Sequence, residues 1–352
     1  MPANINLFST AAMTKAVELM PRVYTFLADT FAKEGKVYED ERAIYDYRRG
    51  AETGLAPFVV PGTGGVAINR DKFEMREIRF STLAPERVLT LEDVSTRQFG
   101  ETVLGAKTPE QRSKDVLAQD LTDLKAMNQN ARNWMVREVL LKGKLELRRY
   151  TKEGREKKAS LLADFGFQNV YTPTTRWNQS GAKIHYDMEA AFDLVYNGLG
   201  DVDIMVMGGG VFEAMMANSD YCKELDMDRV YLDEIRGHYQ GQGVRYRGTN
   251  SDGVKMVSLN GHFLNYERQQ EKLIPDGYIL MGSSSKKPLT ICHGPINEYV
   301  GQDENAAIKT YIKKEVALRK GGAGADEITT RLVSRPTVVP ENVGAWCLMK
   351  VL

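Results

Sequence analysis

"TPEQRSKDVLAQDLTDLKAMNQNARNWMVREVLLKGK", residues 108–144, is the best helical pattern in this chain. Thr108 stands where an N-cap belongs, and Pro109 suits the first helical position because its missing N–H has no intrahelical acceptor there. Gln111 completes a capping box. Leu117, Leu121, Leu124, Met127 or Asn128, Ala131, Trp134, Met135 and Val139 keep a three-and-four spacing, which puts an apolar stripe along the helix. Gly143 is the natural stop, since glycine takes the left-handed conformation after a helix without a Cβ penalty. About 35 residues at 1.5 Å each make a rod of roughly 50 Å, longer than a compact domain needs.

Downstream, "KLELRRYTKEGREKKASLLADFG" (144–166) reads as a β-hairpin, Lys144–Tyr150 returning as Glu156–Ala163 through Lys152-Glu153-Gly154. Residues 137–158 hold nine basic and four acidic side chains, a balance that fits a solvated hairpin face better than a nucleic-acid site. From Ala182 to about Arg319, helical pieces ("MEAAFDLVYNGL", "GVFEAMMANSDYCKEL") alternate with strand-like ones ("VDIMVM", "VKMVSLNGHFLNYE"). In "KLIPDGYILMGSSS", Pro275-Asp276-Gly277 is a turn entering a buried strand. This part reads as an α/β globule of its own. The closing "ITTRLVSRPTVVPENVGAWCLMKVL" reads as two strands about a turn at Pro340–Gly344.

Upstream, Thr10 to about Lys33 is helical, with a break at Pro21. Residues 54–94 carry Pro57, Pro61, Pro85 and the Gly62–Gly65 cluster. They read as an extended excursion, a hairpin tipped near Gly64 and Gly65, flanked by "PFVV" and "FEMREIRF". Long arms of this kind are uncommon in compact enzymes and point to function or to contact with another chain.

The 352 residues suffice for roughly two domains. A 42% hydrophobic content can build a core. With 47 basic and 47 acidic side chains the formal net charge is zero, against a dedicated nucleic-acid binder and in favour of self-association. Cys222, Cys292 and Cys347 lie far apart, which argues against a disulfide framework or a zinc site and for a reducing compartment. The first twenty residues do not read as a secretion signal, and no apolar stretch is long enough to cross a bilayer, so the expectation is a soluble protein made inside the cell.

No reaction emerges from the motifs. Gly208, Gly209 and Gly210 follow an apolar run, but Phe212 and Glu213 stand where a dinucleotide fingerprint wants its third glycine, so a strand-to-helix turn is the preferred reading. The pairs Asp201/Asp203 and Asp226/Asp228 are weak cation signals. His185, His238, His262 and His293 have no zinc spacing, and "MGSSSKKP" is no nucleophile elbow.

The order of pieces is more telling: helical arm, extended loop, very long helix, basic hairpin, α/β globule, terminal strands. "VLLKGKLEL" (139–147), "LIPDGYILMG" (273–282) and "SRPTVVPENVGAWCLMKVL" (334–352) carry a resemblance. They resemble the helix-to-hairpin junction, the Leu-Pro-Asp turn into an axial strand, and the closing segment of the phage lambda major capsid protein family, the E family with the Hong Kong 97-type fold. The likeness spans nearly the whole chain and rests on collinearity.

The resemblance implies an α+β fold with an N-terminal arm (1–50) and an extended loop (51–100). A peripheral domain, 101–174 with 326–352, would be built on the long helix as its spine, and 175–325 would form an α/β axial domain. It implies the major head protein of a tailed bacteriophage, with no catalysis, no cofactor and no metal. Such a protein self-assembles into hexamers and pentamers of an icosahedral shell that encloses double-stranded DNA. The expected partners are copies of itself, a separate scaffold protein, a portal protein, a decoration protein, and packaged DNA by weak nonspecific contact, with no membrane. The expected location is the virion, after assembly in the host cytoplasm. Inter-subunit contacts are expected at Gly64, Gly65, Arg70, Asp71 and Lys72 of the loop and at Arg148, Arg149 and Lys152 of the basic hairpin. Deleting 54–86 is expected to leave a folded subunit that cannot assemble. The alternatives are an encapsulin-like bacterial compartment shell and a nucleotide-sugar-binding enzyme using Asp201/Asp203 or the Gly208 turn.

Overall fold

A computed structural model describes residues 9–21, 25–47, 74–96, 107–150, 156–197, 200–224, 243–250, 252–265, 269–300, 307–320 and 327–352. Helices α1 (Thr10–Leu19) and α2 (Phe26–Phe31) precede strands β1 (Ala32–Val37), β2 (Arg42–Tyr47), β3 (Glu74–Arg79) and β4 (Glu86–Thr90), then helix α3 (Leu91–Ser95). The long helix α4 (Pro109–Lys142) runs into β5 (Lys144–Tyr150) and β6 (Glu156–Asp164), followed by β7 (Val170–Tyr171) and α5 (Ile184–Asn197). Next come β8 (Ile204–Met207), α6 (Val211–Ala217), α7 (Ser219–Glu224), β9 (Val244–Thr249) and β10 (Lys255–Leu259). β11 (His262–Leu264), β12 (Gln270–Lys272), β13 (Tyr278–Gly282), β14 (Leu289–His293) and β15 (Ile296–Val300) follow. The chain closes with β16 (Ala307–Tyr311), β17 (Glu315–Lys320), β18 (Glu327–Ser334), β19 (Pro336–Pro340) and β20 (Trp346–Lys350).

Helix α4 starts and stops where its sequence says. The Thr108 hydroxyl accepts from the Gln111 N–H while the Gln111 side chain accepts from the Thr108 N–H, and Gly143 sits at φ 62°. At the ambiguous turn Asn128 is the buried residue, at 1% exposure, and Met127 is 47% exposed. The single apolar stripe describes only the first half of the helix. From Arg132 to Leu140 every residue but Trp134 is buried, so this half needs cover on all sides.

The cover comes from α2, β5 and β19 and from a six-stranded sheet in the order β7-β20-β13-β8-β10-β9. Successive side chains of a strand face opposite ways. Ile204, Val206, Val257, Leu259, Leu280 and Trp346 therefore join the core formed with α2 and the inner half of α4. Their neighbours Met205, Met207, Met256, Ile279, Met281, Cys347 and Met349 pack on the other face against α5 and α6. The four residues of β8 are all buried, as a strand covered on both faces must be. The outer half of α4 and helix α1 lie on a second sheet, β17-β18-β4, around Met13, Val17, Leu117, Leu121, Leu124, Ala317 and Leu332. A third sheet, β1-β14-β19, joins the N-terminal segment to the C-terminal one.

Three expectations need correction. The helical arm ends at Phe31, because Ala32 begins β1, which pairs in parallel with β14. The excursion's return strand, β3, pairs with β2, while "PFVV" and the tip lie outside the described residues. Ile78 and Phe80 of that return are buried core, so deleting 54–86 would remove part of the core along with the loop. The C-terminal stretch forms three strands. The turn after Pro340 joins two sheets, since β19 pairs with β14 while β20 pairs with β13 and β7. Segment 326–352, grouped in the sequence reading with the long helix, thus also supplies a strand beside β13, and Trp346 Nε1 donates to Leu140 O of α4 at 3.0 Å.

Gly143 is required twice over. Its φ is left-handed, and a Cβ there would stand 2.1 Å from Phe167 Cβ. Gly143→Ala is expected to lower unfolding stability by about 2 kcal/mol or more in a denaturant titration; an unchanged midpoint would show that the turn relaxes freely.

Candidate functional site

The glycines at 208–210 make a corner. A Cβ on Gly208 would lie 2.1 Å from Pro275 O, and one on Gly209 would lie 2.3 Å from the Asp276 carboxylate, so the bare backbone lets the Pro275–Gly277 turn close against the end of β8. The Gly277 N–H donates to Gly209 O at 3.0 Å. Lys272 pairs with Asp276 at 2.7 Å over the same corner.

Asp203 is occupied in the same structural sense. Its carboxylate accepts the N–H groups of Ser284 (2.6 Å) and Ser285 (3.0 Å) and the hydroxyls of Ser283 (3.2 Å) and Ser285 (2.5 Å). Burial would raise its pKa, but these donors hold it below the usual carboxylate value. Asp201 pairs with Lys286 at 3.4 Å. Asp226, Asp228 and His238 lie outside the described residues. Cys347 and Cys292 are buried thiols, the first pushed up to about 12 by burial, and neither is poised as a nucleophile. Among the described residues one group of metal-ligand type converges, His185, Glu189 and Asp252, all exposed. Among the described residues no arrangement supports the nucleotide-enzyme alternative.

The concentrated chemistry is structural and lies where the N-terminal segment meets the core. Lys125, buried in α4, donates to Val17 O (2.6 Å) and Met20 O (2.8 Å), the last carbonyls of α1. Asn133 Oδ1 accepts from Ala28 N at 3.0 Å, and Arg132 pairs with Glu315 of β17. Beside them Glu34 of β1 lies 2.7 Å from the Lys314 ammonium and 3.5 Å from Nε2 of His293, which is fully buried. Burial alone would raise the Glu34 carboxyl, yet its two basic neighbours outweigh that and hold it well below the carboxylate range. Burial lowers His293, with Arg132 and Lys314 adding to the effect and Glu34 opposing it. The pairing was not visible in sequence, because β1 and β14 are far apart in the chain.

Of the expected contact residues, Gly64, Gly65, Arg70, Asp71, Lys72 and Lys152 lie outside the described residues. Arg148 and Arg149 are on β5, with Arg149 opposite Lys157 of β6. The two hairpins that carry these stretches, β2–β3 and β5–β6, meet where β3 runs beside β6. Sequence reasoning passed over β15–β16, where Tyr299 and Ile308 are 77% and 64% exposed. The signal was "EYV" followed by "AIKTYI", a short alternation on both sides of a turn.

Residues 9–351 match the sequence profile of the family described as phage major capsid protein E. Among solved structures the chain is similar to a protein assigned as the capsid protein of a prophage of E. coli CFT073, at 14% identity, 98% coverage of each chain and a TM-score of 0.65. It is also similar to a phage-related protein from Bordetella bronchiseptica RB50, at 10% identity, covering 97% of this chain and 96% of that one, with a TM-score of 0.53. No curated protein matches in sequence.

The Glu34 cluster gives a pH dependence of definite sign. Both groups titrate lower in the fold than in the unfolded chain, so each contributes stability above its ordinary value and loses it as pH falls. Melting temperature should begin to drop below pH 6.5, the ordinary value of histidine, and drop further below 4.5, that of glutamate. Glu34→Gln should be less stable by about 1–2 kcal/mol at pH 7, and that gap should close below 4.5. A gap constant with pH would remove Glu34 as its source.

Proposed function

The chain belongs to the phage major capsid protein E family, and on that premise we propose how its parts build a head shell. It is a structural capsid protein with the Hong Kong 97-type fold, not an enzyme, and it is part of the virion. Copies assemble with one another. Our reading is that they form hexamers and pentamers of an icosahedral shell around double-stranded DNA, put together in the host cytoplasm. A scaffold protein, a portal protein and a decoration protein complete the proposed partners. Balanced charge, 47 against 47, suits a wall that lies near DNA and holds it only weakly and nonspecifically.

The assembly roles follow the segments. Segment 1–50, expected as an arm along a neighbour, is instead packed into this subunit's own core over 10–43, and 51–100 serve as a loop that overlaps the next subunit. Residues 101–174 with 326–352 form the peripheral domain, and 175–325 the axial domain at the fivefold and sixfold axes. Strand β20 ties the two domains together. Gly64, Gly65, Arg70, Asp71 and Lys72, with Arg148, Arg149 and Lys152, are the proposed contacts. A heterologous interface of this kind must close into rings and then into a surface, which favours interlocking extensions over a flat patch.

The observation that carries these roles is the register of β2 and β3. Tyr47 lies opposite Glu74, so the residues between them, 48–73, begin and end on one rung. They can therefore be replaced by Asn-Gly, the natural two-residue hairpin turn, with the buried Ile78 and Phe80 kept in place. Electron microscopy of the native chain should show closed shells or five- and six-membered rings. The shortened chain should be folded by circular dichroism and remain unassembled. Intact shells from the shortened chain would remove the role given to the loop, and a uniform small oligomer from the native chain would remove the shell reading.

A further inference from the structure

The hairpin β15–β16 is satisfied on one side and bare on the other. On its inner side Ile296 is 1% exposed and packs with Val316, Leu318 and Val333. Tyr311, opposite Ile296, donates its hydroxyl to Glu298 Oε2 at 3.1 Å, and Lys309 lies 4.9 Å from the Tyr311 ring centre. The outer side begins with a polar rung whose members use each other: Thr310 Oγ1 donates to Asn297 Oδ1 at 2.9 Å. The next outer rung is Tyr299 opposite Ile308, 77% and 64% exposed, and Ile312, past the end of β16 on the other side of the polar rung, is 52% exposed.

Two strands alone are marginal in water, and an uncovered aromatic–β-branched pair adds only a little. Among the described residues nothing covers this rung, and both outer edges of this two-stranded sheet are open. Past the root of the hairpin the chain reaches the N-terminal helix. Lys313, next to Ile312, pairs with Glu18 at 2.8 Å, and Glu18 adjoins Leu19, which is 77% exposed.

We propose that the outer face of β15–β16, built on Tyr299 and Ile308, is a lateral contact that seats against a second copy of this chain. The proposal rests on the shell reading above. A second copy is the occupant for two reasons. Members of this family are capsid subunits, which meet copies of themselves. Zero net charge also leaves copies free to approach. The Tyr299–Ile308 rung carries no cation, and cations supply most of a protein's affinity for DNA phosphates.

The test uses the full chain. In one arm Tyr299→Ser and Ile308→Thr are combined, threonine keeping the strand preference. Melting temperature should stay at the native value, while the protein concentration needed for assembly should rise about tenfold or more, as for loss of an interface anchor. Assembly at the native concentration would overturn the contact and leave the shell reading intact. In the second arm a photo-crosslinking phenylalanine analogue replaces Tyr299 alone and particles are irradiated. Covalent dimers of this chain support the proposal; crosslinks confined to one chain, or to a protein of different mass, overturn it. A native chain that forms no shells fails at the earlier step, and takes the shell reading and this contact with it.

Discussion

Everything in this subunit is arranged around a polar problem on one helix. Helix α4 carries Lys125, Asn128, Gln129, Arg132, Asn133, Arg137 and Glu138 at buried positions. A buried polar group without a partner costs on the order of 1–3 kcal/mol, more if charged. Lys125 meets the end of α1, Asn133 the backbone of α2, Arg132 the side chain of Glu315, and Arg137 the carbonyl of Leu273 at 2.9 Å. Asn128 reaches Leu332 O at 3.4 Å. Each of these partners comes from a different part of the chain. An apolar helix would accept any greasy neighbour, whereas this one accepts only segments that deliver a carbonyl, an N–H or a carboxylate at the right height.

Both ends of the helix obey the same rule. The capping box closes the first turn, and at the other end Gly143 N and the Trp346 indole take up the carbonyls of Val139 and Leu140. That indole places β20, and β20 places β13 beside it. Phe167 stacks on Trp346 with ring centres 5.0 Å apart, in the space that a side chain on Gly143 would invade. The sheet is thus attached to the helix at a helix terminus, where unsatisfied backbone groups make attachment favourable.

What sequence made legible was local. The caps of α4, the β5–β6 hairpin, the buried β8 and the turn at Pro275–Gly277 announce themselves by neighbours within a few residues. Pairing between distant strands does not: nothing in "FAKEGKV" says that β1 will lie parallel to β14, or in "WCLMK" that β20 will leave β19 for β13. At Met127 and Asn128 hydrophobicity pointed to methionine, and a distant carbonyl chose asparagine. The expected contact residues were legible only through resemblance, because an interface residue is defined by a surface that the single chain does not contain. Tyr299 escaped notice for the opposite reason, since alternation alone cannot tell a face turned to the core from one turned away.

The distribution of strands carries the same division further. The described residues hold three sheets of three or more strands, each backed by helix or strand, and four two-stranded sheets: β2–β3, β5–β6, β11–β12 and β15–β16. Two-stranded sheets gain little stability by themselves. Three of the four have something to lean on. β2–β3 sinks Ala43, Ile78 and the adjoining Phe80 into the main core, β5–β6 does so with Leu145, and β11–β12 sets Phe263 under the guanidinium of Arg137. β15–β16 is held at its root by Ile296 and extends its apolar rung into solvent. A subunit whose core is organised by one long helix can hold out such extensions without endangering its own fold, because none of the buried polar contacts of α4 passes through them. Separation of that kind is what an assembling protein needs: the surfaces that wait for a partner are kept apart from the contacts that must be complete before the partner arrives.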